Sequence, residues 1–159
     1  MKKRLTLSLV AGLATLVVMG ASVVAQTQMH VITTLADAQW GPAPPMLPPG
    51  AQIAVLAGDP SKPAAYTLRL KFPANYIVPA HSHPTDENVV VVSGDFFIGM
   101  GNTLDRKSGT ALGKGGYALM PANHNHFAYT KSEATILLYG VGPVEFKYVN
   151  PADDPRRHN

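Results

Sequence analysis

The chain has 159 residues and no cysteine, with 13 lysines and arginines against 10 aspartates and glutamates. That length supports one domain with a buried core, and the missing thiols exclude a disulfide framework and any zinc site built on thiolates. Three of the basic residues, Lys2, Lys3 and Arg4, stand at the very start with no acid in residues 1–25, which leaves 10 against 10 beyond them. Charge therefore makes no case for a nucleic-acid partner or a membrane surface.

Residues 1–25 have the layout of a secretory signal peptide: the basic head, an apolar stretch over residues 5–19, and the small residues around Ala25 before Gln26. The stretch is short for a membrane span and is followed by a cleavable exit. The expected product is exported, periplasmic or secreted, with no stable membrane anchor after cleavage. No cysteine follows the stretch, so a lipid anchor is excluded as well.

Residues 26–50 read as an N-terminal arm. A short β-like piece covers residues 31–34, and then Pro42, Pro44, Pro45, Pro48 and Pro49 exclude a helix or a central strand. We expect this arm to lie over the domain or over a partner subunit, with Trp40 as its anchor.

Residues 51–150 carry the strand signals. The first strand covers residues 52–57 and is followed by a turn at Gly58, Asp59 and Pro60. Residues 66–72 alternate, with Tyr66, Leu68, Leu70 and Phe72 on one face and Thr67, Arg69 and Lys71 on the other, as in a half-buried antiparallel strand. Residues 76–83 and 87–92 follow; the latter is apolar on both faces apart from Glu87 and Asn88. A turn at Ser93, Gly94 and Asp95 leads to a strand over residues 96–101. Residues 102–116 are polar and glycine-rich, without a period, and read as a loop. Strands are expected again at 117–120, 126–130, 135–141 and 143–149, and the polar tail, residues 151–159, is expected to fray. Phe127 and Tyr129 read as outer packing, and Met100 and Met120 as core or pocket wall. No segment after residue 25 keeps a helical period, so the fold class is all-β, a sandwich or barrel of short strands.

The chemistry gathers in one stretch. His81 and His83 are two residues apart, so both leave the same face of a strand. Glu87 follows across the turn signal Pro84, Thr85, Asp86. Two imidazoles and a carboxylate that converge form a donor set for a divalent transition metal, and a further histidine is available downstream in the run Pro121, Ala122, Asn123, His124, Asn125, His126. His30 and His158 lie near the ends and read as solvated.

These two stretches resemble the motifs of the cupin superfamily, and the chain looks like a small single-domain, exported, type-2-like member. The first motif, G-x5-H-x-H-x3–4-E-x6-G, is matched by His81, His83, Glu87 and Gly94. The second, G-x5-P-x-G-x2-H-x3-N, is matched by Gly115, Pro121 and His126. Asn75, Asn123 and Thr130 depart from it, the first two in place of glycine and the third in place of asparagine; Asn tolerates a left-handed backbone and Thr still offers a hydroxyl. The resemblance implies a single jelly-roll barrel with the metal ligands His81, His83, Glu87 and His126. It implies one divalent transition ion, which could be Fe, Mn, Ni, Cu or Zn, and a small-molecule ligand. A homodimer is also expected. Two functions follow: a metal-dependent oxidoreductase of the dioxygenase kind, or an isomerase-like enzyme, acting on a small oxygen-containing substrate; or a non-catalytic metal- or small-molecule-binding cupin. No separate catalytic acid or base stands out except His124, which reads first as a polar residue at the barrel rim and could otherwise be a fifth ligand, an alternative to His126, or a group that orients a ligand from behind.

Overall fold

A computed structural model describes residues 30–34 and 36–157. The chain divides into residues 1–30 and a second unit of residues 31–159. The signal peptide expected at residues 1–25 and His158 lie outside the described residues, and His30 is exposed. Among the described residues no helix is long and apolar enough to cross a membrane.

The second unit is two antiparallel sheets. The larger holds β1 (Gly41–Pro42), β2 (Gln52–Ala57), β3 (Ala65–Phe72), β5 (Glu87–Ser93), β8 (Tyr117–Met120) and β10 (Ala134–Val141), in the order β1-β2-β3-β10-β5-β8. The smaller holds β4 (Ile77–Ser82), β6 (Phe96–Met100), β7 (Thr110–Leu112), β9 (His126–Thr130) and β11 (Lys147–Tyr148), in the order β11-β4-β9-β6-β7. Neighbours far apart in sequence, such as β3 beside β10 and β4 beside β9, are what a jelly-roll requires, and they make the fold depend on long-range pairing.

The alternation of residues 66–72 decides the core. Tyr66, Leu68, Leu70 and Phe72 face the interior and are all buried, together with Val89 and Val91 from β5 and Ile136 and Leu138 from β10. Each such side chain contributes about 1.5–3 kcal/mol by leaving water. Gly94 turns β5 into β6 with φ 74°, and a Cβ there would meet the Glu133 carbonyl oxygen at 2.1 Å, so only glycine fits.

Several expectations need correction. Residues 31–34 form no strand. Among the described residues of the arm the deepest is Leu47, buried in the core, whereas Trp40, the expected anchor, stays half-buried beneath the Lys71 ammonium at 4.6 Å. The arm is tied down because its prolines leave carbonyls free to accept: Tyr148 Oη donates to Met46 O at 2.8 Å, and Tyr76 Oη donates to Pro48 O. The polar run 102–116 contains β7, held by register against β6 rather than by its own pattern. Met120 is buried and Met100, at the end of β6, is 50% exposed, and the two line one cavity together with Ile98 and Ala118, as a pocket wall was expected to. Strand β11 is two residues long, shorter than the alternation of 143–149 suggests. The tail does not fray at once. It forms short turns of 3-10 helix at Pro151–Asp153, capped by Asn150, and at Pro155–Arg157, where Arg156 donates to Asp154 and to Phe146 O.

Strand β9 is buried on both faces. Phe127 and Tyr129 point away from the interior, as expected, yet are 0% and 1% exposed. They pack with Ala80 and against Ile77, Phe97 and Leu104, and Tyr129 Oη donates to Arg106 O at 2.8 Å. The loop before β7 thus roofs the outer face of the smaller sheet.

Candidate metal centre

Strand β4 brings His81 inward by an irregularity that a simple alternation does not contain. Opposite β9, Val78 pairs with Ala128 and His81 with His126, so three steps on β4 match two on β9. This is a β-bulge, and it shifts the phase of β4 by one residue. Without it Val78, Ala80 and Ser82 would share a face; with it Val78 and His81 both face the interior. Pro79 lies within the bulge, where its missing N–H costs no ladder bond. His83 follows just beyond the end of β4, His126 opens β9, and Glu87 opens β5 in the opposite sheet.

The turns that carry these residues are laced together. Asn123 N–H donates to His83 O at 2.7 Å, and Ala122 N–H donates to Asp86 Oδ1 at 2.8 Å. Asn75 and Asn123 have φ of 58° and 61°, the left-handed conformation that glycine would otherwise supply. Thr130 Oγ1 accepts from Tyr76 N–H and donates to Pro73 O, so its hydroxyl ties the end of β9 to the turn between β3 and β4.

His81, His83 and His126 form a buried cluster in which one ring nitrogen of each lies within 4.8 Å of the others. The Nδ1 atoms all meet backbone carbonyls: His81 with Pro79 O at 2.7 Å, His83 with Glu145 O at 2.7 Å, and His126 with His124 O at 3.0 Å. A carbonyl can only accept, so each Nδ1 carries the proton and each Nε2 presents a lone pair. Glu87 completes the group, with Oε1 at 3.4 Å from His83 Nε2 and Oε2 at 3.6 Å from His126 Nε2. The Nε2 atoms of His83 and His126 are buried and have no hydrogen-bond partner.

That combination tests whether a cation fits. Lone pairs facing a carboxylate across 3.4–3.6 Å are acceptors facing acceptors, which is costly in a buried site. A divalent cation turns the same arrangement into coordination, so the residues present fit a metal ion. Burial, followed by the neighbouring imidazoles of His126 and His83, lowers the His81 pKa to about 3, so its ring is neutral and able to ligate at neutral pH. Burial alone would raise the Glu87 pKa; a proton on His126 Nε2, and then charge on His83, His126 and His81, would hold the carboxyl below its ordinary range, so the ionised carboxylate also calls for a cation at this point.

A profile of the ChrR cupin-like domain matches residues 27–145. The chain belongs to this cupin family. Solved structures agree on the fold. A polyketide cyclase of Streptomyces resistomycificus is 15% identical over 82% of this chain and 92% of its own, with a TM-score of 0.62. A candidate acetylacetone dioxygenase of Methylibium petroleiphilum is 18% identical over 82% and 88%, with a TM-score of 0.60. An RmlC-like cupin of Shewanella frigidimarina is 13% identical over 73% and 94%, with a TM-score of 0.56. No curated protein matches the chain.

Within the cupin, the structure brings His81, His83, His126 and Glu87 together and leaves His124 out. The His124 ring is exposed, with Nδ1 at 3.1 Å from Ala122 O, and it is absent from the histidine cluster. What His124 gives the site is its backbone carbonyl, which orients His126. Sequence reasoning also passed over Phe146. Its ring stacks on His81 at 4.4 Å and meets the edge of His83 at 4.5 Å. The only sequence signal was its place in the alternation of Val144, Phe146 and Tyr148, which marks an inward face but not what lies there.

Proposed function

We propose that this cupin binds one divalent transition ion through His81, His83, His126 and Glu87, and works outside the cytoplasm as a metal-dependent oxidoreductase of the dioxygenase kind. The observation that carries this reading is the pair of buried, unpartnered Nε2 atoms aimed, with the Glu87 carboxylate, at one point. Imidazole and carboxylate together suit Fe, Mn, Ni, Cu or Zn, and no thiolate is present to favour a softer choice. Bound there, the ion supplies Lewis acidity toward an oxygen of a small organic substrate. The chain does the positioning. The carbonyls of Pro79, Glu145 and His124 fix the ring tautomers, and Phe146 shields His81 and His83 from water. The structural neighbour described as a candidate acetylacetone dioxygenase supports a dioxygenase on this fold.

One observation favours a non-catalytic binder instead. The His124 ring, the acid or base expected beside the ligands, is exposed and stands outside the histidine cluster. Export rests on residues 1–25, and a homodimer on the exposed Tyr117, Leu119, Tyr139 and Val141 of the larger sheet.

The test is elemental analysis of the protein from Gln26 onward, purified without a histidine tag or chelator. About one transition-metal ion per chain is expected. No metal, even after ions are added back, would sink the proposal. Oxygen consumption by the loaded protein with candidate substrates then separates enzyme from binder.

A further inference from the structure

Two adjoining cavities lead to the histidines. The inner one, about 30 Å³, is lined by His81, His126, Glu87 and apolar core residues. The outer one, about 170 Å³, shares Glu87, Leu47, Leu70, Leu138 and Phe146 with it and runs outward to the exposed Ser61. Around 10–15 Å³ is enough to hold one water, so the inner space accepts a donor oxygen and little else. The outer space is close to the roughly 150 Å³ at which an apolar cavity takes up benzene.

The walls set the chemistry. Among the described residues Glu87 is the only charged side chain of the outer cavity, Ser61 at the rim is the only other polar one, and no lysine or arginine lines either space. A ligand whose second carboxylate lies in the outer cavity, out of reach of the ion, would bury that charge against apolar walls with no lysine or arginine to pair it. An apolar body pays no such cost and gains by leaving water. Resting on the metal assignment above, we propose that the ligand is a small apolar molecule, about one aromatic ring in size, with a phenol- or ketone-type oxygen that reaches the metal and no charged group at its far end.

The test loads the protein with cobalt(II) and follows its visible absorption during titration with p-cresol and, separately, with benzene-1,4-dicarboxylate, whose second carboxylate cannot reach an ion that binds the first. p-Cresol should perturb the spectrum and saturate at a concentration at least about tenfold below any response to the dicarboxylate. Val144→Trp, at the half-buried rim, should keep one cobalt per chain and weaken p-cresol by about tenfold or more. The inference is overturned if benzene-1,4-dicarboxylate binds as tightly as p-cresol, or if p-cresol leaves the spectrum of fully loaded wild-type protein unchanged. Cobalt stoichiometry is measured independently. Failure to bind cobalt overturns the metal assignment, and the oxygen-donor end of this inference with it, whereas full loading with a silent p-cresol titration overturns the ligand class alone.

Discussion

The two ends of the barrel interior are built from the same strands to opposite purposes. At one end Phe72 packs on Tyr76 at 5.1 Å and on Phe96 at 5.7 Å, and Thr130 satisfies both Tyr76 N–H and Pro73 O. At the other end His126, four residues away on the same strand, joins His81, His83 and Glu87, two Nε2 atoms lack partners, and two cavities open beside them. Strand β9 runs through both, from Thr130 to His126. The first end lowers the free energy of the fold. The second is a cost of folding, tolerable because the first end and the long-range sheet pairing hold the backbone in place.

Substitutions at the two ends should therefore differ in kind. The largest loss of stability is expected for Phe72→Ala, about 3–5 kcal/mol in chemical denaturation, because the site cannot collapse around the lost ring. A loss under about 1 kcal/mol would show that this end does not carry the fold. His83→Ala should cost the metal-free protein only about 1–2 kcal/mol, mainly through the donor lost to Glu145 O, while metal content falls from about one ion per chain toward zero. Wild-type protein at a metal concentration a hundredfold above Kd should gain about 2.7 kcal/mol, and the variant nothing. Full metal occupancy in His83→Ala would remove it from the ligand set.

The gentlest effect is that of pH on the metal-free protein. The folded-state pKa of His81, about 3, lies below its ordinary 6.5, so on acidification the unfolded chain takes up this proton first. Stability from this group is complete above pH 6.5 and drains away as pH falls toward 3. Thermal unfolding between pH 7.5 and 4 checks this. A midpoint that rises on acidification would mean that the histidines are charged in the folded state.

Much of this was legible before any coordinates. The alternation of residues 66–72 named four inward residues correctly, because a strand has a period of two and its inner face must be apolar. Asn75, Asn123 and Thr130 were read as workable substitutes, and each does what its side chain and backbone preference allow. The arm, by contrast, is held by Leu47 and by tyrosines more than 25 positions away, which no local pattern displays. Phe127 and Tyr129 had the right direction, but their burial depends on a loop about twenty residues earlier.

By itself the sequence determined the all-β class and the residue types able to hold a metal, because periodicity, turn chemistry and the spacing of donors are local properties of the chain. Tertiary structure alone decided that a bulge at Pro79 turns His81 inward, that carbonyls of Pro79, Glu145 and His124 aim three Nε2 lone pairs together, and that Phe146 and a cavity stand beside them. Those features, the cavity being apolar except for Glu87 and Ser61, arise where segments as far apart as His83 and Glu145 meet, and hydrogen-bond geometry and packing exist only once the chain has brought them there.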